Sequence, residues 1–201
     1  MSTIWEDGIE SKSVTAPLSL IVSAFCPVLD VRSTLTPQLR FDKGESRILF
    51  LDLGQGANRL GGSILAQVNN CMGEKCPDLE DPSVLQGFFE TLQDLNQSGD
   101  ILAYHDRSDG GLVVTLTEMS FAGRVGITID IAQSASKLIA TLFNEELGAV
   151  IQVRSKDCSK IVERFREAGV IALDIGTLNN DDCICIKARG ELVFTEPRSN
   201  L

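Results

Sequence analysis

The chain has 201 residues, of which 43% are hydrophobic and 23% charged, a composition typical of globular proteins that excludes a disordered chain or a collagen-like repeat. Acidic residues outnumber basic ones by 28 to 18, and the net charge of -10 argues against nonspecific binding to nucleic acid or to anionic membranes. The single histidine, His105, excludes a histidine-rich zinc site.

Cysteine usage and the first residues indicate the compartment. The six cysteines include no Cys-x-x-Cys pair, which favours a reducing environment over a disulfide framework. The opening Met-Ser-Thr-Ile-Trp-Glu-Asp-Gly has neither the basic nor the apolar region of a secretory signal. No window approaches the roughly 18 uninterrupted apolar residues of a membrane span. We therefore predict a soluble cytoplasmic protein.

Hydrophobic periodicity divides the chain into alternating strands and helices. Short aliphatic runs predict extended segments at residues 14–28, 47–53, 101–104, 125–131, 149–153, 170–175, 183–188 and 191–195. Apolar residues that recur every three or four positions predict amphipathic helices at residues 60–72, 82–96, 112–121, 136–143 and 157–168. We expect the first strand to be mostly buried, with Pro17 and Pro27 at its margins. Either Asp81 or Ser83 is expected to cap the second helix.

The end of the chain indicates the fold class. The last two extended segments flank Arg189-Gly190, which can form a two-residue hairpin turn. Such a hairpin favours an α+β fold over a purely parallel sheet. Because no linker rich in proline, serine or glycine divides the chain, we predict one domain over residues 14–201, preceded by a leading segment at residues 1–13.

The clearest chemical signal is the polar segment Tyr104-His-Asp-Arg-Ser-Asp-Gly-Gly-Leu112, which joins a predicted strand to a predicted helix. A helix N-terminus presents unpaired N–H groups that bind phosphate well. Asp106 and Asp109 could supply carboxylate oxygens to Mg²⁺, and Ser108 could contact phosphate or cap the helix. Spacing alone leaves a simpler alternative open, in which Ser108 or Asp109 is only an N-cap and the glycines only permit a tight turn.

Three other segments have a functional and a structural interpretation. His105 could act as a general base, although a loop hydrogen bond is the favoured role. Leu60-Gly-Gly-Ser63 could bind a ribose phosphate, with close packing of the helix as the alternative. Asn144-Glu-Glu146 could line a cleft, but a solvated surface is favoured because glutamate is rarely buried without a partner. Cys183 and Cys185 are expected to pack as small hydrophobic residues.

The segment from His105 to Leu112 resembles the second-half signature of phosphoribosylformylglycinamidine synthase, the large glutamine-dependent enzyme of purine biosynthesis. Further segments resemble this family in the same order, namely Pro17-Leu-Ser-Leu-Ile-Val-Ser-Ala-Phe25, Asp30-Val-Arg32, Thr36-Pro-Gln-Leu39, Leu60-Gly-Gly-Ser63, Glu118-Met-Ser-Phe-Ala-Gly123 and Phe143-Asn-Glu-Glu-Leu-Gly-Ala-Val150. The resemblance extends from about Trp5 to Phe194.

The resemblance implies a fold and a site. The chain resembles the C-terminal domain of the second of two aminoimidazole-ribonucleotide-synthase-like repeats, a layered α/β sandwich with a mixed sheet that is partly ferredoxin-like. Residues 1–13 would then be the end of the preceding domain. By the same resemblance, Asp106 is a magnesium ligand and Ser108 a nucleotide contact, so Mg²⁺ and ATP or ADP are the implied cofactors. The family's other magnesium ligands lie upstream, and no catalytic residue is assigned to this chain.

The complete enzyme implied by the resemblance is an ATP-dependent ligase. It converts formylglycinamide ribonucleotide, ATP and glutamine into formylglycinamidine ribonucleotide, ADP, phosphate and glutamate. The first repeat and a glutaminase domain are the implied partners, and the fragment alone is expected to be inactive. The alternative is a non-catalytic structural domain that holds a permanently bound nucleotide or packs against the preceding repeat, and that forms a homodimer on its own.

Overall fold

The structure is a computed structural model that describes residues 2–15, 22–28 and 30–201. Contacts between residues divide the chain into two compact units, residues 1–32 and residues 33–201. The domain boundaries expected from the sequence, with residues 1–13 set apart from the rest, stay a prediction. Within the described ranges, no helix combines the length and the apolar character needed to cross a membrane.

The first unit contains a two-stranded antiparallel hairpin that the sequence analysis did not predict. Strand β1 (Ser2–Asp7) pairs with β2 (Glu10–Thr15), and Gly8 in the turn has a left-handed backbone with φ of 68°. Every residue of both strands is exposed. A hairpin without a buried face leaves no hydrophobic alternation in the sequence, so periodicity could not reveal it.

The prediction of a mostly buried strand at residues 14–28 is wrong in burial throughout the described part of this segment, although Val14 and Thr15 do lie in strand β2. Residues 22–28 form no regular structure and are exposed, and Phe25 is 95% exposed. Aliphatic composition suggested the strand, but Pro27 lacks the N–H group that a strand ladder uses. The part of the prediction that falls on residues 16–21 lies outside the described residues.

The second unit is built on a seven-stranded mixed sheet. Its strands are β3 (Ser46–Asp52), β4 (Ile101–Asp106), β5 (Gly126–Ile131), β6 (Gly148–Arg154), β7 (Ile171–Asn179), β8 (Cys183–Ala188) and β9 (Glu191–Pro197). They lie in the order β4-β6-β3-β7-β5-β8-β9. Neighbouring strands are antiparallel except β5 and β8, which are parallel. The predicted α+β class with a mixed sheet is therefore confirmed.

Helices cover both faces of this sheet. The helices of the second unit are α1 (Ile64–Val68), α2 (Pro82–Gln97), α3 (Gly111–Gly123), α4 (Ala135–Phe143) and α5 (Cys158–Glu167), and short 3-10 turns occur at Phe41–Lys43, Ser155–Asp157 and Arg198–Asn200. A further 3-10 turn, Val31–Ser33, spans the boundary between the two units. Side chains alternate along β3, so Leu49 and Leu51 pack with α2 and α5 whereas Ile48 and Phe50 pack with α3 and α4. The result is the three-layer arrangement expected of a layered sandwich.

Local sequence signals placed several element ends correctly. Helix α2 begins after Asp81, whose carboxylate accepts the N–H group of Ser83 at 2.9 Å, so Asp81 rather than Ser83 is the N-cap. The β8–β9 hairpin turns at Arg189 and Gly190, with φ of 52° and 85°. Positive φ at both positions matches the turn type that two-residue hairpins favour.

Helix α1 is much shorter than the predicted helix at residues 60–72. It covers only Ile64–Val68, and the Ser63 hydroxyl caps it by accepting the N–H group of Ala66 at 3.2 Å. Left-handed backbone at Gly62 and Asn70 ends the helical geometry on both sides. Spacing of apolar residues cannot detect such positive φ angles, so it predicted a longer helix.

Strand β8 separates its isoleucines from its cysteines. Ile184 and Ile186 are buried in the core, whereas Cys183 and Cys185 lie on the opposite, half-exposed face. The Cys185 Sγ atom is 3.2 Å from the Thr195 hydroxyl oxygen. The two cysteines therefore do not pack in the hydrophobic core, and all six cysteines of the chain are free thiols.

Candidate functional site

The predicted nucleotide segment lies at one edge of the seven-stranded sheet. Strand β4 ends at Asp106, which pairs with Ala149 near the start of β6, and β3 ends at Asp52, which pairs with Gly148. The segment that leads into α3, the loop that follows β3 and the loop that precedes β6 therefore meet at this edge. We call this region the sheet-edge site.

The loop at residues 107–111 requires both of its glycines. Gly110 and Gly111 have φ of 83° and 72°, and a Cβ atom on Gly111 would lie 2.6 Å from the Asn144 carbonyl oxygen. Gly110 is the N-cap of α3, and no side chain caps this helix. The alternative interpretation is therefore wrong for Ser108 and Asp109, neither of which is the N-cap, whereas the tight turn that it expected of the glycines is present.

Asp106 and Ser108 are brought together at the start of this loop. The Ser108 hydroxyl donates to the Asp106 carboxylate at 3.2 Å, and the Asp106 side chain is 68% exposed. Asp109 is also exposed. The backbone N–H groups of Ser108 and Asp109 donate to no acceptor among the described residues, so both are free to bind a ligand.

His105 forms a hydrogen bond, as the sequence favoured, but it lies in strand β4 opposite Val150 and not in a loop. Its Nε2 atom lies 2.9 Å from a carboxylate oxygen of Glu118, and its Nδ1 atom lies 3.6 Å from an Asp106 oxygen. The ring therefore lies between two carboxylates and is largely buried. This arrangement orients His105 by hydrogen bonding.

At the sheet-edge site, the carboxylate of Asp106 could serve as a protein ligand of Mg²⁺. This ion prefers one or two carboxylates together with phosphate oxygens and water. Among the described residues, the exposed carboxylate of Asp106 accepts one side-chain hydrogen bond, from the Ser108 hydroxyl, and lies 3.6 Å from His105 Nδ1, so it retains free oxygen lone pairs. In the part of the chain that the structure describes, no group of three or more histidine, cysteine, aspartate or glutamate side chains is arranged to hold a metal.

The segment at residues 144–146 contradicts the favoured prediction of a solvated surface. Asn144 and Glu146 are 0% and 1% exposed. Between them, the half-buried Glu145 uses one carboxylate oxygen to accept the N–H groups of Gly110 at 2.8 Å and Ile64 at 2.9 Å. Glu145 thus joins the nucleotide loop to the start of α1.

Glu146 is buried because Arg59 pairs with it. The Arg59 guanidinium donates to both Glu146 oxygens, at 2.6 and 2.9 Å, and the Arg59 backbone N–H donates to one of them at 3.0 Å. Burial alone would raise the pKa of Glu146, but the hydrogen bonds from Arg59 outweigh it and hold that pKa below its usual value. The two residues are far apart in the sequence, so no local pattern indicates the pair.

Arg107, between the two predicted site residues, has a fully buried side chain. Its guanidinium donates to the carbonyl oxygens of Glu146 at 2.6 Å and Leu147 at 2.8 Å, and to the Asp52 carboxylate at 2.9 Å. It also lies 4.9 Å from the centre of the Phe50 ring. Desolvation lowers the pKa of Arg107, and the charge of Asp52 opposes this shift. Sequence reasoning missed Arg107 because its neighbours are polar and exposed.

The glycine segment at residues 60–63 is held by the chain itself. The N–H group of Gly61 donates to the Lys75 carbonyl at 2.6 Å, and that of Gly62 donates to the Met72 carbonyl at 2.7 Å. A Cβ atom on Gly61 would lie 2.4 Å from the Lys75 backbone. Close packing therefore explains these glycines, and in this conformation their N–H groups are not free for a ribose phosphate.

The chain was compared with known domain families and solved structures. The family described as AIR synthase related protein, C-terminal domain, matches residues 47–185, and the chain therefore belongs to this family. The predicted fold class and the family resemblance read from the motifs are thereby confirmed.

Solved structures show the same fold in longer proteins. Thermotoga maritima PurL complexed with ATP is 15% identical, with 84% of this chain and 27% of that chain covered and a TM-score of 0.66. Phosphoribosylformylglycinamidine synthase II from Thermotoga maritima is 14% identical, with 82% and 26% covered and a TM-score of 0.62. Escherichia coli HypE, a hydrogenase maturation protein, is 18% identical, with 76% and 49% covered and a TM-score of 0.52. The chain spans about a quarter of the length of the PurL structures.

Proposed function

We propose that this chain is part of a cytoplasmic phosphoribosylformylglycinamidine synthase, in which it contributes to a magnesium-nucleotide site. The complete enzyme would convert formylglycinamide ribonucleotide, ATP and glutamine into formylglycinamidine ribonucleotide, ADP, phosphate and glutamate. The first repeat and a glutaminase domain would be its partners, and ammonia from glutamine would reach the ligase site without contact with bulk water. The isolated chain would be inactive.

The main support for the proposal is the position of Asp106 and Ser108. Asp106 and Ser108 lie in hydrogen-bond contact immediately before the N-terminus of α3, a helix of 13 residues. The free N–H groups of Ser108 and Asp109 adjoin this pair, and amides at a helix N-terminus favour a phosphate group. The similar PurL structure was solved as a complex with ATP.

Asp106 would be the contribution of this chain to the metal site. A bound Mg²⁺ neutralises charge on a phosphoryl group. The remaining ligands would come from other parts of the synthase. We therefore propose weak binding of Mg²⁺ and nucleotide by this chain alone, with Ser108 contacting the nucleotide.

Titration calorimetry on the 201-residue chain tests the site with Mg·ATP and Mg·ADP. We expect weak binding to the unaltered chain, and a loss of about tenfold or more in Asp106→Asn and in Ser108→Ala, because each change removes a polar ligand contact. Asp181→Asn is the matched control, since Asp181 is exposed and follows β7 at the opposite end of the strands from the sheet-edge site. Equal affinity in Asp106→Asn and the unaltered chain would contradict the metal role, and no binding at all would leave only a structural role.

A second candidate function is a structural domain that packs against the preceding repeat. Strand β9 is an edge strand, and Leu192, Val193 and Phe194 on it are 57%, 45% and 38% exposed. An exposed apolar edge strand is suited to pairing with another chain or domain. On its own the chain would then form a homodimer, which sedimentation would detect and which Leu192→Lys would dissociate. A monomer at all concentrations would contradict this candidate.

A further inference from the structure

We infer that Glu145 is a positioning residue that holds the nucleotide loop and the start of α1 at one fixed separation. The inference rests on the proposed nucleotide site, because the loop that it fixes carries Asp106 and Ser108. One oxygen of Glu145 accepts the N–H groups of Gly110 at 2.8 Å and Ile64 at 2.9 Å. A single atom therefore connects two segments that are distant in the sequence.

The main chain on both sides of Glu145 is fixed by buried contacts. Before it, the Asn144 amide donates to the carbonyl oxygens of Ala140 at 2.7 Å and Thr141 at 3.1 Å. After it, the carbonyl of Glu146 accepts the Arg107 guanidinium at 2.6 Å, and the Glu146 carboxylate accepts Arg59. Because both neighbours are buried and bonded, the place of the Glu145 carboxylate is set before any ligand arrives.

The charge of Glu145 suits this place. Gly110 precedes α3 and Ile64 opens α1, and N–H groups at the start of a helix favour a negative acceptor. Glutamine has the same length and retains an oxygen acceptor, so Glu145→Gln keeps the connection without the charge. Glu145→Ala removes the acceptor, so the N–H groups of Gly110 and Ile64 lose this hydrogen bond. The pair of variants therefore separates positioning from charge.

Hydrogen exchange measured by NMR tests the connection without a ligand. We expect Glu145→Ala to speed exchange at Gly110 and Ile64 together, by about tenfold, because both lose a charge-assisted hydrogen bond. Glu145→Gln should leave both rates nearly unchanged. Glu167→Ala is the matched control, since Glu167 is an exposed residue at the end of α5. If only one amide responds, or neither, Glu145 does not couple the two segments.

Calorimetry with Mg·ATP tests the consequence for the site. We expect Glu145→Ala to lower affinity about tenfold and Glu145→Gln to stay within about threefold of the unaltered chain, with an unfolding midpoint close to the original in both variants. Unchanged or higher affinity in Glu145→Ala would overturn the inference, since the carboxylate would then be competing with phosphate for the same N–H groups. If the unaltered chain binds no nucleotide, the proposed function fails, and the exchange measurement still decides the coupling.

Discussion

Replacement of Arg107 by methionine should destabilise the domain strongly. Methionine keeps a long apolar side chain in the same space but removes the guanidinium. Three acceptors each lose one donor, namely the Asp52 carboxylate and the carbonyl oxygens of Glu146 and Leu147, although the Leu147 carbonyl still accepts the N–H group of Leu53 at 3.0 Å. The side chain of Asp52 is 8% exposed, so water cannot replace the lost partner fully.

The expected loss in the free energy of unfolding depends on the hydrogen bonds that Asp52 retains. Breaking a buried ion pair by removing one partner costs about 3–5 kcal/mol. The Asp52 carboxylate still accepts the N–H groups of Gly54 at 3.1 Å and Gly56 at 2.8 Å, which offsets part of that loss. We therefore expect Arg107→Met to lower the free energy of unfolding by about 3 kcal/mol, at the lower end of the range for buried pairs.

Urea unfolding at neutral pH measures this loss. The double variant Asp52→Asn with Arg107→Met removes both charges and should recover about 2 kcal/mol relative to the sum of the single variants, because no buried charge is left unpaired. Arg164→Met is the control, since Arg164 forms an exposed ion pair with Asp94 that contributes at most about 1 kcal/mol. A loss below about 1 kcal/mol in Arg107→Met, or strict additivity in the double variant, would refute the reasoning.

Three further predictions use other contacts. Gly111→Ala should lower the free energy of unfolding, measured with urea, by at least about 2 kcal/mol more than Gly99→Ala does. Both glycines have φ near 70°, but of the two only Gly111 is crowded by backbone atoms. Burial raises the pKa of Cys158 to about 11, so a thiol reagent at about pH 8 should label exposed Cys76 and reach Cys158 only after unfolding, as mass spectrometry would show. The pKa of Glu146 in the folded chain lies below its usual 4.5. We therefore expect the unaltered chain to have a higher free energy of unfolding than Glu146→Gln at neutral pH, and this difference to disappear as the pH falls through the lowered pKa, as urea unfolding at several pH values would show.

Most of the regular elements could be predicted because their signals are local. Strand β8 lies at the predicted residues, 183–188, and α2 ends one residue after the predicted end. Each of these segments has one buried face, and burial of one face produces the periodicity that the sequence displays. The same method missed the β1–β2 hairpin, which has no buried face, and predicted α1 too long, because positive φ angles at Gly62 and Asn70 end that helix early.

The candidate site could be predicted only in its local part. Asp106 and Ser108 are two residues apart, and a motif can place them together without knowledge of the sheet. Arg59, Glu145 and Glu146 reach the same place only because β6 lies between β4 and β3. Strand order is a property of the whole fold and cannot be read from a local motif. The sequence favoured a solvated surface for Glu146, but in the fold this residue is buried because it pairs with Arg59.

The carboxylates at the sheet edge differ in what they can offer to a ligand. Asp52, Glu145 and Glu146 already accept N–H groups of the chain, and the buried ones cannot release them without a loss of several kcal/mol, on the order of that expected for Arg107→Met. Within the described ranges, the exposed side chain of Asp106 accepts a hydrogen bond from a hydroxyl group and none from an N–H group. A metal ion at this edge would therefore take Asp106 and leave the other three in place. Glu145 bonds the loop at Gly110, Asp52 bonds it through Arg107, and the exposed Asp106 is a group that a second domain could complete.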